Sequence, residues 1–314
     1  MIEVKNLVRR YGNFVAVKGV SFNIPKGQII GLLGHNGAGK TTTIKVLTGY
    51  LEPSEGEVLI SGMNIGDHTL DIQNKIGYLP ENSPLYPEMT VVEYLSYVAN
   101  MRGIASESQV AAIQKAIEAT DLKPKAGDKI ATLSKGYRQR VGVAQAIIHQ
   151  PEILILDEPT NGLDPTQILA MRNLIKRLSE TTTVILSTHI MQEVEAICDR
   201  VLIIMDGRVA VDATLEELRA EGQISIALDR NPDEARSVLG AISGVAEISH
   251  EQPTSGNTWN YRLKPAADDQ NLSAVIAKTV VDKGWNLYGL SREKRNLESI
   301  FRDVNAGQGG TANV

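Results

Sequence analysis

The apolar residues of this chain fall into short unbroken runs, "QIIGLLG", "EILILDE", "TTVILST" and "RVLIIMD", separated by stretches with helical spacing. Uninterrupted runs rich in β-branched residues predict strands buried on both faces, and their alternation with helices predicts a largely parallel sheet of α/β type. The opening segments differ. "IEVKNLVRRYG" and "VAVKGVSFNI" alternate apolar and polar positions, which predicts antiparallel strands ending in the turn Pro25-Lys26-Gly27. A helix is expected from Thr90, which has capping-box spacing to Glu93 and a stop at Gly103; Asp164 and Pro165 read as N-cap and first residue of another.

From residue 221 the order changes to strand "SIAL", helix "PDEARSVLG", strands "VAEISH" and "TWNYRL", helix "NLSAVIAKTVVDKG" and strand "WNLYGL". This βαββαβ order predicts a small α+β domain of ferredoxin-like type. An amphipathic segment, "NLESIFRDV", precedes a Gly-rich tail at residues 305–314 that is expected to be flexible. The 314 residues exceed what one hydrophobic core usually supports, so a large domain over residues 1–220 and an accessory one over 221–304 are expected.

Charge and cysteine content narrow the setting. The net charge is −5 and neither side of residue 220 has a basic excess, so nucleic acid is not an expected partner. Cys198 stands alone and forms neither an internal disulfide nor a CxxC metal site, which fits a reduced, cytoplasmic environment. The first residues carry no apolar signal segment, and no apolar run approaches the ~18 to 20 residues of a membrane span. Work at a membrane would require another protein to hold the chain there.

Two stretches carry recognisable chemistry. "GHNGAGKT", Gly34, His35, Asn36, Gly37, Ala38, Gly39, Lys40 and Thr41, satisfies the phosphate-loop pattern GxxxxGK[ST] between a strand and a helix, and Thr42 continues it. Its glycines let backbone N–H groups converge on phosphate oxygens; Lys40 is placed to reach the β- and γ-phosphates of ATP and Thr41 to ligate Mg²⁺. In "ILILDEP" an apolar strand delivers Asp157, suited to hold Mg²⁺, and Glu158, suited to polarise the attacking water as general base.

"LSKGYRQR", "ILILDEP", "NGLD" and "STH", in this order and spacing, resemble the motifs of ATP-binding-cassette (ABC) ATPases, and the resemblance covers residues 1–220. It implies that Ser134, Lys135, Gly136 and Tyr137 form a signature that completes the ATP site of the opposite subunit in a head-to-tail dimer. It also implies that Tyr11 stacks on adenine and that His189 contacts the γ-phosphate, joining Lys40 and Glu158 in catalysis. Asp164 would cross the dimer interface, and its local role as helix N-cap is compatible with that.

The sequence departs from the family pattern at three of these positions. Glu81 stands where a glutamine is usual and can still coordinate Mg²⁺ or water; Lys135 and Tyr137 replace a glycine and a glutamine. These variants resemble the gliding-motility ATP-binding subunit within the type 2 exporter cassettes. A cassette serving nitrous oxide reductase maturation is similar at "GHNGAGKTT" and "YLPEN". The implied partner is a separate membrane permease, gripped through the segment Ser83–Met101 with Leu85, Tyr86, Tyr94 and Tyr97 as candidate contacts, which would put the chain on the inner face of the cell membrane. A soluble cassette acting on DNA or ribosomes fits less well, because such chains usually carry two cassettes or a long coiled-coil insertion. A GTPase would need NKxD, and "NKIG" at residues 74–77 lacks the aspartate.

Overall fold

The computed structural model describes residues 1–220, 223–251, 258–266, 271–293 and 297–305; the expected flexible tail from residue 306 onward lies outside them. The chain forms two compact units, Met1–Ala213 and Thr214–Val314. The first begins with strands β1 (Ile2–Tyr11), β2 (Phe14–Ile24) and β3 (Ile29–Leu33), then helix α1 (Lys40–Leu47). It continues through β4 (Glu55–Ile60), β5 (Met63–Asn64), α2 (Thr69–Lys75), β6 (Ile76–Leu79), α3 (Val91–Met101), α4 (Ser106–Ala119) and α5 (Lys135–Ile147). It closes with β7 (Ile153–Asp157), α6 (Pro165–Ser179), β8 (Thr183–Thr188), α7 (Met191–Ile197), β9 (Arg200–Met205) and β10 (Arg208–Thr214).

Two sheets form from these strands. The alternating segments make an antiparallel sheet in the order β2-β1-β4-β5, and the apolar runs make a six-stranded sheet in the order β10-β9-β3-β8-β7-β6. Within the latter, β9, β3, β8, β7 and β6 are paired in parallel. Every residue of β3, β7 and β8 is buried, because helices or the second sheet cover both faces. Ile2, Val4, Val17 and Ile24 from the antiparallel sheet share one core with Ile30, Leu32, Ile153 and Ile155, and Ile44 and Leu47 of α1 lie within it. Thr90 caps α3 in the expected capping box with Glu93. The helix packs on α4 and α5 through Val91, Leu95, Ile113, Ile117, Val141 and Ala144, a separate helical core.

In the second unit, α8 (Leu215–Ala220) leads into β11 (Gln223–Leu228), α9 (Pro232–Leu239), β12 (Val245–Glu251), β13 (Trp259–Pro265), α10 (Leu272–Asp282), β14 (Leu287–Glu293) and α11 (Leu297–Asn305). Its four strands pair antiparallel in the order β12-β13-β11-β14, the sheet of a ferredoxin-like βαββαβ fold. Ile224, Ile226 and Leu228 point from β11 to one face, where Leu239 of α9 and Ile276 of α10 cover them. Trp259 and Trp285 pack against this core, in keeping with a structural role. The unit begins at α8, ahead of residue 221, because "TLEEL" starts a new helix directly after β10.

One partly buried histidine gives the first unit a pH dependence. His149 Nε2–H donates to the Ile76 carbonyl (3.1 Å) while its Nδ1 is buried without a partner. Burial, helped by the Arg102 guanidinium, pulls its pKa from 6.5 to about 4. An unfolded chain takes up this proton near pH 6.5 and the folded one resists it. The associated stability is therefore complete above 6.5 and is lost as the pH falls toward 4. His149→Gln should remove on the order of 1–2 kcal/mol of the stability difference between pH 7 and pH 5, discounted for partial solvent screening. Urea unfolding at the two pH values measures it, and an unchanged difference in the variant would refute the assignment.

Candidate functional site

The turn between β3 and α1 is built to expose its N–H groups. Gly37 and Gly39 adopt φ of 84° and 109°, and a Cβ on Gly39 would lie 2.8 Å from the Ala16 carbonyl oxygen, so no other residue fits there. The turn is braced from outside by the Gly207 N–H, which donates to the Ala38 carbonyl at 3.0 Å. Lys40 opens α1 with only 6% of its surface exposed. Its ammonium donates to the carbonyls of Gly34 (2.7 Å) and His35 (3.3 Å) and sits 3.8 Å from Glu158 Oε1. Burial pulls the Lys40 pKa below its ordinary value, opposed by the carboxylates of Glu158, Asp157 and Glu81.

Parallel pairing of β7 with β8 sets Asp157 opposite Ser187. The Ser187 hydroxyl donates to Asp157 Oδ1, and the same strand end receives the Glu158 N–H on the Ser187 carbonyl (3.1 Å) and hydroxyl (3.2 Å). Burial pushes the Asp157 carboxyl up, and the hydroxyls of Ser187 and Thr41 and the Lys40 charge pull it back. Glu158 turns the chain out of the strand at φ 50°, which aims its side chain beside Lys40 and His189. His189 Nδ1–H donates to Glu158 Oε2 (3.0 Å) and Oε1 (3.1 Å).

These groups share one cleft of about 400 Å³. His35, Asn36, Gly37, Gly39, Lys40, Thr41 and Thr42 line its floor; Glu81, Glu158 and His189 line one wall; Tyr11 flanks the mouth. Gly34 and Ala38 belong to the same turn, with Ala38 packed into the core, and Asp157 is buried within bonding reach of Thr41. Tyr11 is exposed under the Arg9 guanidinium, 5.0 Å from the ring centre. Phe14, Ala16 and Asn161 complete the lining without having been singled out in the sequence. Phe14 faces Tyr11 across the β1–β2 turn, a pairing that the short "YGNF" connection already allowed. Asn161 donates to Glu81 Oε1 (3.3 Å), a contact spanning 80 positions that no local pattern announces.

The signature stretch is absent from this lining. Ser134 caps α5 by accepting from the Tyr137 N–H (3.4 Å), and a Cβ on Gly136 would lie 2.9 Å from Gln167 Cδ at the start of α6. Lys135 reaches over Gly162 and lines a neighbouring cavity with Glu81. Asp164 caps α6, accepting from the Gln167 N–H at 2.9 Å in a capping box. Among the described residues no group of three or more His, Cys, Asp or Glu side chains is arranged to hold a metal, and no helix is long and apolar enough to cross a membrane. The oxygen donors of Thr41, Asp157 and Glu81 suit a hard cation that shares its coordination with phosphate.

Residues 17–161 match the family described as ABC transporter. The chain is 38% identical over 307 residues to the linearmycin resistance ATP-binding protein of Bacillus subtilis (strain 168), covering 97% of this chain and 98% of that protein. It is 35% identical over 254 residues to the Nod factor export ATP-binding protein I of Burkholderia orbicola (strain AU 1054), covering 80% and 84%. Among solved structures, an ATP-binding cassette in a dimeric post-hydrolysis state bound to ADP and Pi superposes with a TM-score of 0.62 at 27% identity, covering 68% of this chain and 99% of that one.

Proposed function

The chain belongs to the ATP-binding proteins of ABC transporters, and on that premise we propose that it powers an exporter as a head-to-tail homodimer docked on a separate membrane permease. ATP binding and hydrolysis are the activity of this cassette. The observation that carries the dimeric reading is the incomplete cleft: Lys40, Glu158 and His189 converge in it, while Ser134 to Tyr137 start a helix outside its lining. A second copy supplies the missing donors, the Ser134 hydroxyl and the N–H groups at the start of α5, to the γ-phosphate. Asp164, at the cap of α6, crosses the same interface.

Within one protomer Lys40 neutralises the β- and γ-phosphates, and Tyr11, with Phe14 beside it, offers an aromatic surface to the adenine. Glu158 takes the proton of the water that attacks the γ-phosphorus, and His189 holds that carboxylate in place through Nδ1. Thr41 and Asp157, with Glu81 at the wall, would hold Mg²⁺, which neutralises charge on the transferring phosphoryl group. The relatives' resistance and export roles, and the signature variants similar to the gliding-motility subunit, favour a type 2 exporter. That reading puts the chain at the cytoplasmic face.

The surface differs from the expected contact in two residues. Leu85 packs against the helical core, and Tyr94 is buried there, its pKa pushed up to about 12 chiefly by burial. Tyr86 and Tyr97 meet edge to face at 5.4 Å and line an open cavity of about 720 Å³ with Tyr50, Leu70 and Met101. Leu70 and Met101 are 76% and 71% exposed, so aspartate at both positions should leave folding and soluble ATPase activity intact. In cells that co-express the permease, this double variant should shift from the membrane to the soluble fraction. A variant that still sediments fully would exclude the contact, and a parent that never sediments would exclude the transporter reading.

A further inference from the structure

Among the described residues, the chemistry assigned to the cleft leaves one buried carboxylate unused. Glu193 lies in the first turn of α7 with 1% of its surface exposed. Its Oε2 accepts from Thr160 Oγ1 at 2.5 Å and from Thr188 Oγ1 at 3.2 Å, while Oε1 is buried without a partner. Thr188 directly precedes His189, and its hydroxyl also receives the Ile190 N–H at 3.1 Å. Thr160 follows Glu158 by two positions and opens the turn in which the Leu163 N–H returns to its carbonyl at 3.1 Å.

A single carboxylate oxygen thus joins the segment bearing the candidate base to the segment bearing the candidate histidine. Burying a carboxylate costs several kcal/mol, and two hydroxyl donors with one oxygen left bare return only part of it. An apolar side chain would fill this place on the inner face of α7 at lower cost. The arrangement is intelligible if the two segments must keep one relative position. The Glu158–His189 bond depends on that position, because each partner sits beside a threonine held by Glu193.

We propose that Glu193 is a positioning residue that holds Glu158 and His189 in register. The inference rests on the assignment of Glu158 and His189 to the chemical step. Glu193 touches neither nucleotide nor water in this role; it acts through the two threonines.

Glu193→Ala should lower kcat for ATP roughly tenfold or more, the scale set by small misplacements of a reacting group, with KM changed less than about twofold. Glu193→Gln keeps an oxygen that accepts both hydroxyls and should restore most of the rate. Thr160→Val, nearly isosteric, removes one of the two bonds and should lower kcat in the same way, which keeps the proposal testable if Glu193→Ala fails to fold. In a Glu158→Gln background, followed by single-turnover hydrolysis, Glu193→Ala should add less than about twofold, because its route to the reaction is already cut. Wild-type kcat in both Glu193→Ala and Thr160→Val, a Gln variant as slow as the Ala variant, or full additivity with Glu158→Gln would each overturn the proposal. Should Glu158→Gln itself turn over at the wild-type rate, the assignment of the base fails instead, and the two failures are distinguishable.

Discussion

Glu158→Gln is expected to lower ATP turnover by roughly 10²–10⁴-fold while ATP binding persists, because the change removes a base and little else. The backbone at this position is fixed independently of the side chain: its N–H is bonded to the Ser187 carbonyl and hydroxyl at the end of β8. The amide oxygen of glutamine can still accept from His189 Nδ1, so the pair survives in shape. What disappears is the negative charge 3.8 Å from Lys40 and with it the ability to take a proton from water. With Lys40 freed of that competing carboxylate, the affinity for ATP should hold or rise. ATP should then accumulate in a dimer visible by size-exclusion chromatography. Wild-type kcat in this variant, or a monomer at saturating ATP, would exclude the base and the ATP-closed dimer respectively.

Lys40→Ala should abolish hydrolysis by the opposite route, through loss of the phosphate contact. Two or three charge-assisted hydrogen bonds to phosphate are each worth about 1.5–3 kcal/mol, so ATP affinity should fall by roughly two orders of magnitude or more. The variant also leaves Asp157 and Glu158 without their nearest cation in a buried site, which should cost some stability without unfolding the domain. Equilibrium binding of a fluorescent ATP analogue separates this outcome from that of Glu158→Gln, since only the lysine variant should lose binding. Retained affinity and turnover would refute the phosphate-loop assignment.

Much of the first unit could be read along the chain because its signals are local. A phosphate loop is one turn and one helix start, so eight consecutive letters specify it, and the strand that must precede it is the apolar run "QIIGLL". The helix N-caps at Thr90 and Asp164 are equally local and both are present as expected, the second also closing a capping box with Gln167. The ferredoxin-like order of the second unit was legible for a similar reason: alternation in "SIAL" and helical spacing in "NLSAVIAKTVVDKG" each follow from one buried face. Leu85 is partly buried against the helical core and Tyr94 fully within it, because apolar character in a proline-bounded segment does not say whether a side chain faces a core or a partner.

The sequence by itself determined the elements and the chemical identity of the cleft, since backbone conformation and one-sided burial depend on residues a few positions apart. Only the tertiary structure decided which side chains act together. Parallel pairing of β7 and β8 is what sets Ser187 on Asp157, a register that neither strand encodes alone because both are buried along their whole length. Chain crossings likewise bring Asn161 to Glu81, the Tyr11–Phe14 turn to the phosphate loop, and Thr160 and Thr188 to one oxygen of Glu193. The physical reason is that a hydrogen bond needs its partners within about 3 Å, and for residues 30 or 80 positions apart that distance is set by how whole sheets and helices pack.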